Sequence, residues 1–171
     1  SSSPGISLKA EGISYMAGSD LPAVIVNVQR GGPGLGSIQP SQSDYWQATR
    51  AMGHGDSRHI VYAPSTVQEE ADLVYLAFDK ADEYRMPVII LADGLLGQMM
   101  EPVVLPEEKT EFPVKPWATV GHKHQREHNI VNSLELEPSL LEEKLKERYE
   151  RYAVIEREEQ MYEGVMLDDA E

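Results

Sequence analysis

The sequence predicts an α/β protein built on a parallel sheet. Short apolar runs, mostly of β-branched residues with Gly, Pro or Asp close by, cover residues 23–28, 60–63 and 87–92. Their apolarity is continuous rather than alternating, which is typical of strands that are covered on both faces. An apolar stripe at helical spacing separates the second run from the third, so we expect a βαβ unit with a right-handed crossover.

The crossover helix is predicted by residues spaced four, three, four and three apart: Val67, Ala71, Val74, Phe78 and Ala81. Ser65, followed three places later by Gln68, predicts a capping box at its start.

Two shorter helices are expected to flank the sheet. The first runs from about Gly5 to Ala17, with Pro4 near its first turn and three apolar side chains available to face inward: Leu8, Ile13 and Met16. The second covers Ser43 to Met52 and offers three side chains for packing: Tyr45, Trp46 and Ala48. Three strands make a thin sheet with two open edges, which indicates part of a larger domain.

Beyond residue 100 the character of the chain changes. Four prolines work against a helix in residues 101–116 and favour an extended arm that lies over another surface. Residues 137–171 hold 12 acidic and 5 basic side chains and predict an amphipathic helix, with this stripe: Leu141, Leu145, Tyr149, Tyr152 and Ile155. Packing of one narrow stripe on a neighbour and a short coiled-coil contact are both open. We therefore expect an α/β region at 1–100, a linker arm at 101–136 and an acidic helix at 137–171.

Composition excludes several classes of function. The 171 residues carry 15 Lys and Arg against 29 Asp and Glu, a formal net charge of −14 with a pI near 4.7, which disfavours nucleic acid and anionic membranes as partners. No apolar run approaches the ~20 residues that span a bilayer, and no N-terminal signal is seen, so we expect a cytoplasmic protein. Because cysteine is absent, disulfides, thiolate zinc sites, cysteine nucleophiles and cysteine-held iron–sulfur clusters are excluded within this chain.

A glycine-rich loop follows the first predicted strand. Residues 29–36 read QRGGPGLG, so the backbone can turn tightly and approach a ligand at the carboxyl end of a buried strand. Arg30 is the single cation of this loop and is a candidate to bind a carboxylate or phosphate with two parallel hydrogen bonds. The alternative is that the glycines only form a turn and Arg30 pairs with a surface acid, since the loop matches neither phosphate-loop pattern.

Three further polar segments could carry chemistry. His54, between Gly53 and Gly55, is a candidate donor or general acid near neutral pH, although a helix C-cap followed by an Asx turn explains the same residues. The opening 1–5 places hydroxyls and amides at a helix N-terminus, which suits either an anion or plain N-capping. Residues 121–128 hold three histidines, His122, His124 and His128, with zinc-compatible spacing, although neighbouring cations favour a linker.

Several motifs in order resemble the α subunit of 2-oxoacid:ferredoxin oxidoreductases. They are SSSPGIS, EGISY, NVQRGGPGLG, QPSQSDY, GHGD, STVQEEADL and ILADGLLGQMMEPV. The resemblance runs almost unbroken from Ser1 to Val103 and recurs more loosely through residues 129–134. It is more specific than any one glycine loop.

This resemblance implies an enzyme that oxidatively decarboxylates a 2-oxoacid, joins the acyl group to coenzyme A and passes electrons to ferredoxin. It implies thiamine diphosphate with Mg²⁺ at the interface between this pyrimidine-binding domain and a β subunit that carries the diphosphate-binding domain. Arg30 would hold the substrate carboxylate, with Gln39 and His54 on the pocket wall. Four residues would face the cofactor: Ser2, Ser3, Gly31 and Gly32. No catalytic residue and no metal ligand are expected within this chain, and the iron–sulfur clusters would lie on other chains.

The same resemblance implies that the family's α chains begin before Ser1 and continue past Glu171. We therefore expect a central piece that is inactive alone: half of a thiamine-diphosphate pyrimidine-binding-type domain, an arm and a helix. Which 2-oxoacid is used stays open. The competing interpretation is a non-catalytic module that binds a small anion with the glycine loop or docks a partner through the acidic helix.

Overall fold

The computed structural model of the chain describes residues 1–164 and divides it into two compact units, Ser1–Leu134 and Glu135–Glu171. The end of the predicted acidic helix, residues 165–171, lies outside the described residues. The first unit contains α1 (Ser3–Ser7), α2 (Ala10–Gly18), β1 (Ala23–Gln29), α3 (Tyr45–Arg50), β2 (Ile60–Tyr62), α4 (Val67–Tyr84), β3 (Pro87–Asp93) and a 3₁₀ turn at Leu96–Gln98. The second contains α5 (Pro138–Glu158).

The strands form one parallel sheet in the order β1-β3-β2. Ala23 lies opposite Pro87, and Ile60 lies opposite Val88. β3 is central and buried up to Ala92, because helices cover both of its faces. α4 packs on β3 and β1, and the opposite face belongs to a core cluster made of Ile6, Ile13, Ala48, Met52, Ile89 and Leu91. The α/β class, the parallel sheet and the βαβ unit are confirmed.

The first predicted helix is two helices in the structure. The helix is interrupted at Leu8 and Lys9, where the Lys9 amide donates a hydrogen bond to the Ile6 carbonyl, three residues earlier. This turn directs Leu8 to the surface, 88% exposed, and Ile6 takes the buried position instead. The inward orientation predicted for Leu8 is therefore wrong, whereas Ile13 is buried as expected.

The helix predicted at Ser43 to Met52 is shorter, and only part of its packing face is buried. α3 covers Tyr45–Arg50 and buries Ala48 completely. Trp46 is 76% exposed, with the Arg50 guanidinium 5.9 Å from its ring centroid. The prediction that Trp46 packs against the rest of the domain is therefore wrong.

The cap of α4 lies one residue later than predicted. Thr66 is the N-cap, and its hydroxyl accepts from the Glu69 amide at 3.1 Å. The Glu69 carboxylate in turn accepts from the amide and the hydroxyl of Ser65, each at 2.7 Å. The hydrogen bond from the Ser65 hydroxyl is the main reason why the pKa of Glu69 is lowered. The carboxylate is a stronger acceptor than the Gln68 amide would be.

The buried face of α4 is also rotated from the predicted stripe. Its buried side chains are Leu73, Ala77, Ala81 and Tyr84. Phe78 is 60% exposed and lines a cavity of ≈ 890 Å³ between α4 and residues 108–117. The predicted stripe therefore combined Ala81, which is buried, with Phe78, which faces residues 108–117.

Residues 101–134 contain no helix or strand, and the stretch from Val104 to Lys115 lies along α4. The contacts are a reciprocal pair of hydrogen bonds between Gln68 and Val104, a bond from the Tyr75 hydroxyl to the Glu107 carbonyl, and ion pairs from Lys109 to Asp79 and from Lys115 to Asp82. The surface beneath the arm is thus the chain's own crossover helix.

α5 is a solvated helix. Tyr152 is its buried side chain, and Tyr149 lies against it with ring centroids 5.7 Å apart. Ion pairs such as Lys146 with Glu142, at 2.7 Å, lie on its exposed surface. Leu141 and Tyr149 are each 41% exposed, so only part of the predicted apolar stripe is covered.

We expect Thr66→Ala to lower the free energy of unfolding by about 1 kcal/mol, because the Glu69 amide loses its cap. Urea unfolding of the full-length protein measures this. Thr49→Ala is the matched control, since among the described residues the Thr49 hydroxyl bonds within its own helix, to the Tyr45 carbonyl at 2.6 Å, and Ala is the better helix former. Equal effects of the two substitutions would contradict the capping role.

Candidate functional site

The glycine-rich loop folds back on itself at the carboxyl end of β1. The Gly31 amide donates to the Gln39 carbonyl at 3.1 Å, and the Gly31 carbonyl accepts from the Ser37 amide at 2.7 Å. Arg30 and Pro40 form an isolated antiparallel bridge. A Cβ on Gly36, whose φ is +57°, would lie 1.7 Å from the Gly31 carbonyl oxygen, so only glycine fits there.

Arg30 follows β1 directly, and its side chain is half-buried at the base of this loop. Its Nε is buried and has no hydrogen-bond partner among residues 1–164. A buried donor without a partner is costly, and a guanidinium keeps its charge at any physiological pH. The side chain is therefore suited to bind an anion from outside the chain, and within residues 1–164 it forms no ion pair with a surface acid.

The N-terminal turn lies beside β1 and contacts Arg30. The Ser1 carbonyl accepts from the Val28 amide at 2.8 Å. Ser3 is buried, and its Oγ accepts from the Arg30 amide at 3.1 Å while its hydroxyl donates to the Asp44 carboxylate. The Ser2 Oγ is buried without a partner among the described residues. The structure thus brings Ser2 and Ser3 to the same strand end as Arg30.

A buried polar network joins this turn to β1 and α3. Asn27 is fully buried; its Oδ1 accepts from the Ser3 amide at 3.1 Å, and its Nδ2 donates to Asp44 at 3.1 Å and to Gln47 at 3.3 Å. Gln29, 2% exposed, accepts from the Asp44 amide at 3.0 Å. Asn27 and Asp44 were not predicted from the sequence as residues of this site. The available signal was an Asn inside an apolar strand, since a buried amide must find partners.

Gln39 and His54 are less closely tied to Arg30. The Gln39 side chain is exposed, although its backbone closes the glycine loop. His54 is exposed and bonds to α2, with Nδ1 3.2 Å from the Ser14 Oγ. A Cβ on Gly53 would lie 2.4 Å from the Ser14 Cβ, so glycine allows this turn to approach α2.

A cavity of ≈ 300 Å³ lies where the three strands end, lined among others by Gln29, Tyr45, Ser65 and Asp93. At its edge the Gln42 side chain donates to the Asp93 carboxylate at 2.8 Å. The amides of the two residues that open the 3₁₀ turn, 95 and 96, donate to the other carboxylate oxygen at 2.8 and 2.9 Å. These hydrogen bonds lower the pKa of Asp93, and the bond from Gln42 has the largest effect. Asp93 thus fastens the segment after the glycine loop to β3.

The histidine segment forms a ring cluster. The ring centroid of His122 lies 4.9 Å from that of His124 and 4.0 Å from that of His128. Within residues 1–164 no group of three or more His, Asp or Glu side chains is placed to hold a metal ion. The zinc alternative therefore has no structural support in that part of the chain.

None of the helices in the described part of the chain combines the length and the apolarity needed to cross a bilayer.

Comparison with known proteins identifies the family. Residues 1–164 match the family described as pyruvate flavodoxin/ferredoxin oxidoreductase, thiamine diP-bdg. The chain belongs to this family. The resemblance drawn from the sequence motifs is confirmed.

Relatives with curated names are longer than this chain. The ketoisovalerate oxidoreductase subunit VorB of Methanothermobacter thermautotrophicus is 52% identical over 172 residues, which are 100% of this chain and 49% of the relative. The 2-oxoglutarate synthase subunit KorA of Methanothermobacter marburgensis is 43% identical over 120 residues, 67% of this chain and 32% of the relative. The chain spans about half the length, or less, of these relatives.

A solved structure shares the fold. A chain of the 2-oxoglutarate:ferredoxin oxidoreductase from Magnetococcus marinus, with 2-oxoglutarate, coenzyme A and succinyl-CoA bound, superposes with a TM-score of 0.66 at 25% identity. The superposition covers 96% of this chain and 34% of the other. The three-stranded sheet is thus a family fold element.

We expect Asp93→Asn to destabilise the protein near neutral pH and to have little effect in acid. Folding lowers the pKa of Asp93 from its ordinary value of 3.8, so its carboxylate stabilises the folded state above that pH. This contribution is lost as the pH falls through the lower folded pKa. Urea midpoints of the full-length protein, measured from about pH 7 to pH 2.5, test this.

Asp56→Asn is the control, because Asp56 is an exposed carboxylate at a positive φ of 51°, which Asn also tolerates. A stability difference between Asp93→Asn and the unmodified protein that stays constant with pH would contradict the role given to the Asp93 charge.

Proposed function

We propose that this chain forms part of the active site of a thiamine-diphosphate-dependent 2-oxoacid:ferredoxin oxidoreductase, namely the part that binds the substrate carboxylate and faces the cofactor's pyrimidine. The observation that carries the proposal is the half-buried Arg30, whose Nε has no partner in residues 1–164 at the carboxyl end of β1. Ligands of open α/β sheets bind at this end of the strands. The family match supports the class of enzyme.

Arg30 acts by binding and orientation. A guanidinium can hold a carboxylate with two parallel hydrogen bonds, which fixes the plane of a 2-oxoacid as well as its position. Fixing the carboxylate presents the adjacent carbonyl carbon in one orientation to whatever reacts with it. Gln39 and His54 are proposed on the wall of the same pocket, where their exposed side chains are available to substrate.

The residues near Arg30 fit the pyrimidine end of thiamine diphosphate. The buried Ser2 hydroxyl has no partner among the described residues, and a Cβ on Gly32 would meet no atom within 4 Å, so the backbone there is open to a ligand. When bound, this cofactor supplies the electron sink that lets a 2-oxoacid lose carbon dioxide. We propose Ser2, Gly31 and Gly32 as its contacts, whereas the Ser3 hydroxyl is already bonded to Asp44 and Arg30.

Partner subunits are proposed to complete the site. No set of metal-ligating side chains occurs within the described residues and the sequence has no cysteine, so Mg²⁺ with the cofactor's diphosphate and the iron–sulfur clusters are assigned to other parts of the complex. The relatives are named as subunits, and the Magnetococcus enzyme is described with coenzyme A. We propose a β subunit, ferredoxin and coenzyme A as partners. No observation favours an independent anion-binding module.

The substrate is proposed to be a branched-chain 2-oxoacid. Residues 31–49, which follow Arg30, contain no Lys or Arg, whereas 2-oxoglutarate would require a second cation for its second carboxylate. The loop instead offers exposed apolar side chains at Leu35 and Ile38. A relative that matches the whole chain is named a ketoisovalerate oxidoreductase subunit.

We expect Arg30→Ala to raise the KM for the 2-oxoacid in the full-length complex about 10- to 100-fold, because a hydrogen bond to a charged group contributes about 1.5–3 kcal/mol. Steady-state kinetics with ferredoxin as acceptor measure this. Arg50→Ala is the matched control, since the Arg50 side chain is exposed and lies over Trp46. An unchanged KM for every 2-oxoacid tried would overturn the role given to Arg30.

We expect kcat/KM of the full-length complex to be at least tenfold higher for 3-methyl-2-oxobutanoate than for 2-oxoglutarate, since an unpaired charge in the pocket costs more than about 1.4 kcal/mol. Ile38→Ala should lower kcat/KM for the branched substrate and leave that for pyruvate nearly unchanged. A preference for 2-oxoglutarate would refute the substrate class while leaving the role of Arg30 intact.

A further inference from the structure

We propose that three residues outside the substrate contacts, Ser3, Asn27 and Asp44, position Arg30 for carboxylate binding. We call these three the clasp. The inference rests on the proposed function, because it concerns how the guanidinium of that site is held. The clasp joins α1, β1 and the residue before α3, and it ends on the backbone amide of Arg30.

The Ser3 hydroxyl is the part of the clasp that contacts Arg30. It has a single hydrogen, which it donates to the Asp44 carboxylate, a charged and therefore stronger acceptor than a carbonyl. Its lone pairs are then free for the Arg30 amide, which donates to the oxygen at 3.1 Å. Because hydrogen bonds in a chain polarise one another, Asp44 strengthens the acceptor that holds Arg30.

Asn27 fixes both partners of that hydroxyl. Its Oδ1 accepts from the Ser3 amide and its Nδ2 donates to the Asp44 carboxylate, each at 3.1 Å, from a side chain with no solvent exposure. An amide can do both because it carries an acceptor and a donor on one rigid plane. The register of Asn27 on β1, three residues before Arg30, therefore sets where the Ser3 oxygen lies.

Arg30 needs such a support because the chain after it is permissive. Residues 31–36 include four glycines, which do not restrict the backbone as other residues do. The Arg30 side chain offers no compensating anchor, since its buried Nε has no partner in the part of the chain described. Small misplacement of a substrate-binding group is costly to catalysis. The hydrogen bond that the Arg30 amide donates to the Ser3 Oγ and the backbone bridge between Arg30 and Pro40 are constraints next to Arg30.

A double-mutant cycle in the full-length complex tests this assignment. Ser3→Ala should raise the KM for the 2-oxoacid about tenfold, with kcat within about twofold. In an Arg30→Ala background the same substitution should change kcat/KM by less than about twofold, since no guanidinium is left to position. A merely structural role of Ser3 would lower kcat/KM equally in both backgrounds.

Ser7→Ala is the matched control. Ser7 lies on the same helix and its hydroxyl accepts from Gln47 at 2.7 Å, but none of its hydrogen bonds goes to Arg30 or Asp44 in the described structure. Its KM should stay within about twofold of the unmodified complex. A Ser7→Ala effect as large as that of Ser3→Ala would overturn the specific role of Ser3.

The outcomes separate the clasp from the proposed function. If Arg30→Ala raises KM and Ser3→Ala does not, the clasp is wrong and the proposed function stands. If neither substitution changes KM, the role of Arg30 is wrong as well. If Ser3→Ala prevents assembly, Asp44→Asn replaces it in the cycle, because it preserves the shape of the side chain, removes the charge and exchanges one acceptor oxygen for an NH2 donor. An equal effect in both Arg30 backgrounds would then overturn the proposal.

Discussion

The fully buried carboxamide of Asn27 is the constraint on which the arrangement of this domain depends. A polar side chain without solvent exposure is tolerated only when its donors and acceptor are bonded, and all its partners come from other segments. Its hydrogen bonds therefore fix the N-terminal turn and the start of α3 relative to β1. The helices on that face of the sheet are oriented by polar geometry as well as by the apolar cluster beneath them.

The two faces of the sheet are stabilised differently. On the face that carries Asn27, short helices surround a mixed apolar and polar interior. On the other face one long amphipathic helix, α4, covers β3 and β1, and its outer surface is in turn covered by the extended arm through ion pairs and backbone contacts. Exposed ion pairs contribute little individually. The arm is therefore expected to be the less strongly held layer, while the polar face holds the residues proposed to bind ligand.

Sequence patterns predicted the sheet well, and they placed Arg30 at the carboxyl end of β1, because those signals are local. Continuous apolar runs mark a covered parallel strand, and a cation in a glycine loop at a strand end marks an anion-binding position. The break at Leu8 and Lys9 and the rotated face of α4 were not predictable from periodicity, since tertiary contacts decide which of two overlapping stripes is buried. The choice between Ser65 and Thr66 as the cap was open to chemical reasoning, because the Thr66 motif places a carboxylate at the third helical position. The partners of Asn27 are distant in sequence, so only the need for such partners was foreseeable.

The carbonyl of Gly31 lies so close to Gly36 that no side chain can be added at the latter position. Other side chains can therefore be accommodated in this loop at positions 35, 38 and 39, which are exposed. In the proposed function, exchanges at these positions would alter the rim of the substrate pocket without disturbing the turn that follows Arg30. The proposed contact to the carboxylate and the proposed contacts to the acyl tail therefore belong to separate residues of a single loop.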